Sequence, residues 1–355
     1  MKKIFPLQSL RAICVIIVMF VHFSPYPGAF FHNQFLAASA VFTFLALSGF
    51  ILSLVYHNKI NETKDLIIFS KKRFLRMYPM HILFLFIFLI VEFLRLYIES
   101  TNSIQVNNKA FTINNQSAFI SHLFLVNIFN NVLTFNSPTW TVSGEFITSI
   151  LFGVVSFYVR KDITKFYLFL SIFISIIVIF TIFDKKFIQY TTIFSLLSII
   201  YSFIIGFFCF RIFFLKNKIF YILSNNYFQL IHLSLFIILI YFKKFDFLLP
   251  ISSGIIIIYL CRIKSSNFLE KIFFNEFLIY SGKISYTLYI THYLVYWFYT
   301  QLFRHILKIE SINSFDNSLF IINDPMVYIA KLSLSFLTTY LISHFLYNQF
   351  EKKFI

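Results

Sequence analysis

Acidic residues are the first shortage in this chain: 14 Asp and Glu stand against 30 Lys and Arg, a formal net charge of +16. Charged residues of both signs fill only 12% of 355 positions, and glycine and proline occur seven times each. Cysteine is rarer still, with Cys14, Cys209 and Cys261 in or at the edge of apolar segments. No Cys-x-x-Cys pair or Cys/His spacing is present, which excludes a zinc site and a disulfide framework. Alternating apolar segments of about ten residues are also missing, which excludes an outer-membrane barrel. With 59% apolar residues, 54 of them Phe, and a mean hydropathy of +0.80, a soluble domain is excluded as well.

What the chain has is apolar runs near 20 residues, long enough to cross a hydrocarbon core of about 30 Å. Ten spans are expected, at 8–24, 36–57, 78–98, 142–159, 166–183, 190–210, 221–242, 246–262, 280–303 and 326–348. The fold class is therefore all-α, a polytopic membrane helix bundle forming a single domain over residues 1–355 with no soluble extension. With the N-terminus inside, the inner segments hold 19 Lys and Arg and the outer loops 7. That asymmetry obeys the positive-inside rule and puts both termini in the cytoplasm. It also accounts for the basic excess without a nucleic-acid partner. The N-terminal run begins like a signal peptide, but Arg11 and the distance to Ala38-Ser39-Ala40 favour a retained span. Ser117–Phe135 is apolar too, yet counting it as a span would invert the later charge bias. Its Asn127, Asn130 and Asn131 suit a surface-lying or re-entrant helix on the outer side.

Four constellations carry polar chemistry into these spans. Arg11 and His22 lie eleven residues apart, three turns and about 20°, so they share one helix face roughly 16 Å apart. Either they form a site, the default for ionisable groups in a span, or Arg11 snorkels while His22 caps the outer end. A neutral imidazole is suited to take a proton from an attacking hydroxyl. Arg73 and Arg76 share a face ahead of Tyr78-Pro79, with Pro79 in the first turn of the third span. They either clamp phosphates on the cytoplasmic side or supply inside charge against anionic lipid. Trp140 and Glu145 open the fourth span; the carboxylate either orients a histidine or caps the helix, and Trp140 suits an interfacial anchor. Ser285, Tyr289 and His292 stand at i, i+4 and i+7, a polar stripe that either glues helices together or lines an acceptor path. Ser48-Gly49 is weaker, a small pair that allows close packing in any membrane protein.

Taken in order, these residues resemble the acyltransferase-3 family, the integral membrane O-acyltransferases of surface glycans and lipids. Arg11 and His22, separated by ten residues, match the first-span Arg-x10-His of that family. Phe44-Leu-Ala-Leu-Ser48-Gly49-Phe50 matches its second span, and Arg73-x-x-Arg76-x-Tyr78-Pro79 the opening of its third. Trp140-Thr-Val-Ser-Gly-Glu145 and Ser285-Tyr286-x-x-Tyr289-x-x-His292 are similar to two later motifs. Thr141, Gly144 and Thr291 depart from the commoner residues and bear on acceptor identity. The resemblance implies an acyl-CoA donor, most often acetyl-CoA, engaged from the cytoplasm, with no metal. It implies a sugar hydroxyl on a surface or lipid-linked glycan, such as a lipopolysaccharide, as acceptor, at the bacterial inner membrane. His22, Glu145 and Arg11 would be catalytic. Arg73, Arg76, Arg11, Ser48 and Gly49 would bind acyl-CoA, and Trp140, Ser285, Tyr289 and His292 the acceptor.

The competing class is a transporter or flippase of a glycolipid intermediate, which would carry paired repeats and broken helices. No repeat is visible. A lipid-linked-sugar glycosyltransferase would need an acid in the first external loop, and Phe23–Phe35 has none.

Overall fold

A helix runs through each of the ten apolar segments. The computed structural model describes residues 5–23, 34–101, 109–130, 132–159, 162–182, 193–214, 223, 225–242, 247–261, 269–308, 311–313, 320–322 and 324–354. In chain order the helices are α1 (Phe5–Phe23), α2 (Gln34–Tyr56), α3 (Thr63–Thr101), α4 (Gln116–Leu123), α5 (Trp140–Val159), α6 (Ile163–Ile182) and α7 (Ile193–Phe213). They continue with α8 (Asn226–Phe242), α9 (Leu248–Leu260), α10 (Glu270–Phe273), α11 (Glu276–Lys283), α12 (Ser285–Gln301) and α13 (Pro325–Gln349). Six of these, α1, α2, α3, α5, α7 and α13, are long and apolar enough to cross a membrane. Between α12 and α13 the described residues add a two-stranded antiparallel hairpin, pairing Ser311 with Ile322 and Asn313 with Phe320.

The third helix differs most from expectation. It has 39 residues, about 58 Å at 1.5 Å per residue, where the apolar stretch 78–98 suggested a single span. Hydropathy marks only the part of a helix that lies in lipid. The turns carrying Lys64, Lys71 and Lys72 are helical as well, and these lysines are exposed. The Asp65 side chain tightens the start by accepting from the backbone N–H groups of Asn61 and Glu62, each at 3.0 Å. Pro79 therefore lies in the helix interior rather than in its first turn. A proline there loses one backbone hydrogen bond, which neighbouring helices make tolerable in a membrane bundle.

Gly49 of α2 and Gly206 of α7 set the tightest crossing. A Cβ at Gly206 would stand 1.8 Å from the Ala46 carbonyl oxygen, and one at Gly49 would stand 2.0 Å from that of Phe203. Lipid supplies no hydrophobic drive between helices, so close backbone approach through small residues is what holds such a pair.

The segment after α3 does not form an eleventh span. α4 has eight residues and is capped by the Asn115 side chain, which accepts from the Ala118 N–H at 2.9 Å. The chain then turns at Leu125 and Phe135, both at positive φ (54° and 46°). It lies against the middle of α3, where His81 Nε2 donates to the His122 carbonyl at 2.9 Å. It also reaches α12, where the Asn136 amide donates to the Ile290 carbonyl at 2.9 Å. This fold-back starts α5 deep in the protein, which is how Glu145 comes to sit inside the bundle rather than at its rim.

The C-terminal residues are part of the fold. Glu351 is buried and accepts a hydrogen bond from Thr287 of α12. It latches the helix that carries Ser285, Tyr289 and His292.

Candidate active site

Five helices converge on one cavity of about 70 Å³. Arg11 comes from α1, Ser48 from α2, Arg73 and Arg76 from α3, Glu145 from α5, and Ser285 with Tyr289 from α12. Phe44, Leu45, Met77 and Val142 make the remaining wall largely apolar. Three guanidiniums thus face a single carboxylate, a surplus of two positive charges among the described lining residues. In an apolar setting such a surplus is costly unless an anion completes it. The planar donor fork of arginine matches phosphate oxygens.

Local contacts fix these side chains. Arg73 lies 6.0 Å from the ring centroids of both Tyr56 and Phe69, and its buried Nε has no hydrogen-bond partner among the described residues. An orphaned donor in a cationic cavity points to a ligand. Ser48 Oγ donates to Glu145 Oε1 at 2.5 Å, which holds the carboxylate in the cavity wall. Tyr286 donates to the Met77 carbonyl at 2.5 Å and ties α12 to α3. The Tyr289 hydroxyl donates to the Pro138 carbonyl at 3.0 Å and meets Thr141 Oγ1 at 2.7 Å.

From Tyr289 the same helix leads to a histidine pair. The Tyr289 and His292 rings are 5.5 Å apart, and His292 Nε2 stands 3.3 Å from His22 Nδ1. The tautomers follow from the acceptors. His292 Nδ1 is 2.5 Å from the Tyr289 carbonyl, and His22 Nδ1 is 2.9 Å from the Val18 carbonyl. A carbonyl only accepts, so both Nδ1 atoms carry hydrogen. In the neutral pair, His22 Nδ1–H is then shared between the Val18 carbonyl and His292 Nε2. The lone pair of His22 lies on Nε2, and an imidazolium formed there finds two acceptors already aimed at its other nitrogen. Among the described residues no group of three or more His, Cys, Asp or Glu is arranged to hold a metal ion.

The structure therefore brings seven of the expected site residues to one cavity, Arg11, Ser48, Arg73, Arg76, Glu145, Ser285 and Tyr289, and sets His22 beside His292. Two lie elsewhere. Gly49 faces the α7 backbone one position round the helix from Ser48, so its absent side chain serves packing. Trp140 is buried in the apolar cluster that holds Phe42, Ile128 and Ile199. Ser285 and Tyr289, expected toward the acceptor, share the arginine cavity. Thr141, Tyr286 and Met77 complete that wall. All three lie inside the motifs, but their residue types gave no separate signal.

A family model described as an acyltransferase domain, that of the acyltransferase-3 family, matches residues 7–344. The chain belongs to the acyltransferase-3 family. The match includes every residue of the cavity and both histidines, so the candidate site lies within the matched region. It is a multi-pass membrane protein, and acyl transfer requires of it an acyl donor and an acceptor. No curated protein and no solved structure matches the chain.

Proposed function

We propose that this acyltransferase moves an acyl group, in the first instance acetyl, from acyl-CoA to a hydroxyl of a surface or lipid-linked glycan, with His22 as general base. The chain sits in the bacterial inner membrane with ten spans and both termini in the cytoplasm, as the loop charges indicate. The observation that carries the reading is the cavity in which Arg11, Arg73 and Arg76 meet one carboxylate, on the same α12 face that leads to His292 and His22. Arg73 and Arg76 take the phosphates of CoA from the cytoplasmic side. Arg11, deeper in the bundle, draws the acyl end inward. Glu145, held by Ser48, offsets the charge of the three arginines. From Ser285 to His292 the helix rises about 10 Å, a short path from donor cavity to base.

The chemical step balances without a redox partner. The acceptor oxygen attacks the thioester carbonyl carbon as its proton passes to His22 Nε2. The C–S bond breaks, and the imidazolium returns the proton to the departing sulfur. The products are an ester and the free CoA thiol, with a neutral imidazole restored. Direct attack is proposed in preference to an acyl-histidine relay, with the two acceptors at His22 Nδ1 stabilising the transient imidazolium. The test is the purified protein in lipid with radiolabelled acetyl-CoA and a crude envelope glycan. Labelled glycan and released CoA support the reading; glycolipid movement without label transfer contradicts it.

A further inference from the structure

A second cavity, of about 190 Å³, opens between α3, the fold-back segment and α12. Its wall includes Glu92 and Arg95 of α3, Asn114 and Ser137 of the fold-back, and Tyr293 and Trp297 of α12. Glu92 lies 16 residues beyond Arg76 on one helix, about 24 Å along its axis, so the two cavities occupy opposite ends of the bundle. On α12 the residues Ser285, Tyr289, Tyr293 and Trp297 recur every four positions and form one stripe. Its first half lines the arginine cavity and its second half lines this one. The Tyr293 ring stands edge-on to His22, with centroids 6.2 Å apart. A molecule in the second cavity is therefore separated from the base by a single aromatic ring.

The chemistry of the two cavities differs. The carboxylate of Glu92 is already matched, accepting from Arg95 at 2.7 Å, from the Asn114 amide at 2.6 Å and from the Phe111 N–H at 3.1 Å. It fastens the fold-back to α3, and the one unmatched charge among the described lining residues is the exposed Lys109 at the rim, in place of the arginine cluster that suits a polyanion. What remains is an aromatic wall of Phe88, Tyr293 and Trp297 beside a rim that both donates and accepts. Sugar rings present C–H faces to aromatic rings and ringed hydroxyls to such rims. At roughly 15 Å³ per water-sized sphere the volume holds on the order of ten, comparable with the heavy atoms of one sugar unit.

We infer that this cavity is the acceptor subsite and holds one saccharide unit against Trp297, with the hydroxyl to be acylated directed past Tyr293 toward His22. The inference rests on the acyl-transfer reading for its direction of travel but not for its ligand. Trp297→Leu keeps apolar bulk and removes the stacking surface; Trp297→Phe keeps a ring. With envelope glycan as acceptor, Trp297→Leu should raise the acceptor KM about tenfold, with the acyl-CoA KM unchanged and Trp297→Phe in between. An unchanged acceptor KM in Trp297→Leu overturns the subsite. The chain has only two tryptophans, so binding is also readable without turnover. Methyl glycosides of glucose, galactose, rhamnose and N-acetylglucosamine should give a saturable change in tryptophan fluorescence that Trp297→Phe abolishes. This titration decides the matter even if Trp297→Leu fails to fold or the wild type consumes no acyl-CoA. In the latter case the transfer reading falls while a saturable signal still upholds a saccharide site. No signal from any glycoside, or a signal from phosphatidylglycerol vesicles alone, overturns the inference.

Discussion

His292 Nε2 lies 3.3 Å from His22 Nδ1, joining the first apolar helix to the late polar stripe across 270 positions of sequence. This contact gives His292 a positioning role: it accepts from the nitrogen opposite the one that takes the proton. His292→Ala should lower kcat by about a hundredfold, the order of one general acid–base contribution, with both KM values little changed. Steady-state kinetics with each substrate varied in turn checks this. A rise in acceptor KM alone would return His292 to acceptor binding.

Arg73→Ala should raise the KM for acyl-CoA by roughly ten- to a hundredfold, the worth of a charge-assisted hydrogen bond to phosphate. Arg73→Lys should recover only part of that, because a point charge cannot reproduce the planar fork. Comparing acetyl-CoA with acetyl-pantetheine isolates the effect, since a donor without the nucleotide phosphates should be indifferent to the substitution.

Gly49→Ala tests packing rather than donor binding. Its new Cβ would meet the Phe203 carbonyl at 2.0 Å, so α2 and α7 must part. The expected outcome is a clear loss of thermal stability in detergent, read by size-exclusion after heating. The acyl-CoA KM of whatever protein survives should match wild type.

Topology is testable at two lysines. Cysteines placed at Lys64 and Lys109, both exposed, should report opposite faces of the membrane. A membrane-impermeant maleimide should reach Lys109→Cys in intact cells and Lys64→Cys only after permeabilisation. Labelling of both from outside would overturn the ten-span arrangement.

The helices were legible because lipid requires long apolar runs, and hydropathy reads those directly. The aqueous turns of α3 were not, since charged helical residues such as Lys71 and Lys72 look the same as a loop to that measure. The arginine cavity was legible as a set of motifs, because Arg11 and Glu145 are conspicuous in spans that carry few ionisable groups and Arg73 and Arg76 share a face just ahead of the third. Its division of labour was not. Sequence spacing sets Ser285, Tyr289 and His292 on one face but does not say that the first two meet the arginines while the third meets His22. That depends on how far α12 slides against α1 and α3, a tertiary matter fixed by contacts such as Tyr286 to the Met77 carbonyl. Gly49 and Trp140 show the converse: a residue inside a recognisable motif can serve the helix crossing or the apolar core.

The most direct test of the central claim is acyl transfer by His22→Ala in lipid nanodiscs, with acetyl-CoA binding measured on the same preparation. The account predicts loss of labelled glycan and of CoA release, while the protein elutes as wild type and still binds acetyl-CoA. Transfer at the wild-type rate by His22→Ala would contradict it, because some other group would then have to take the proton.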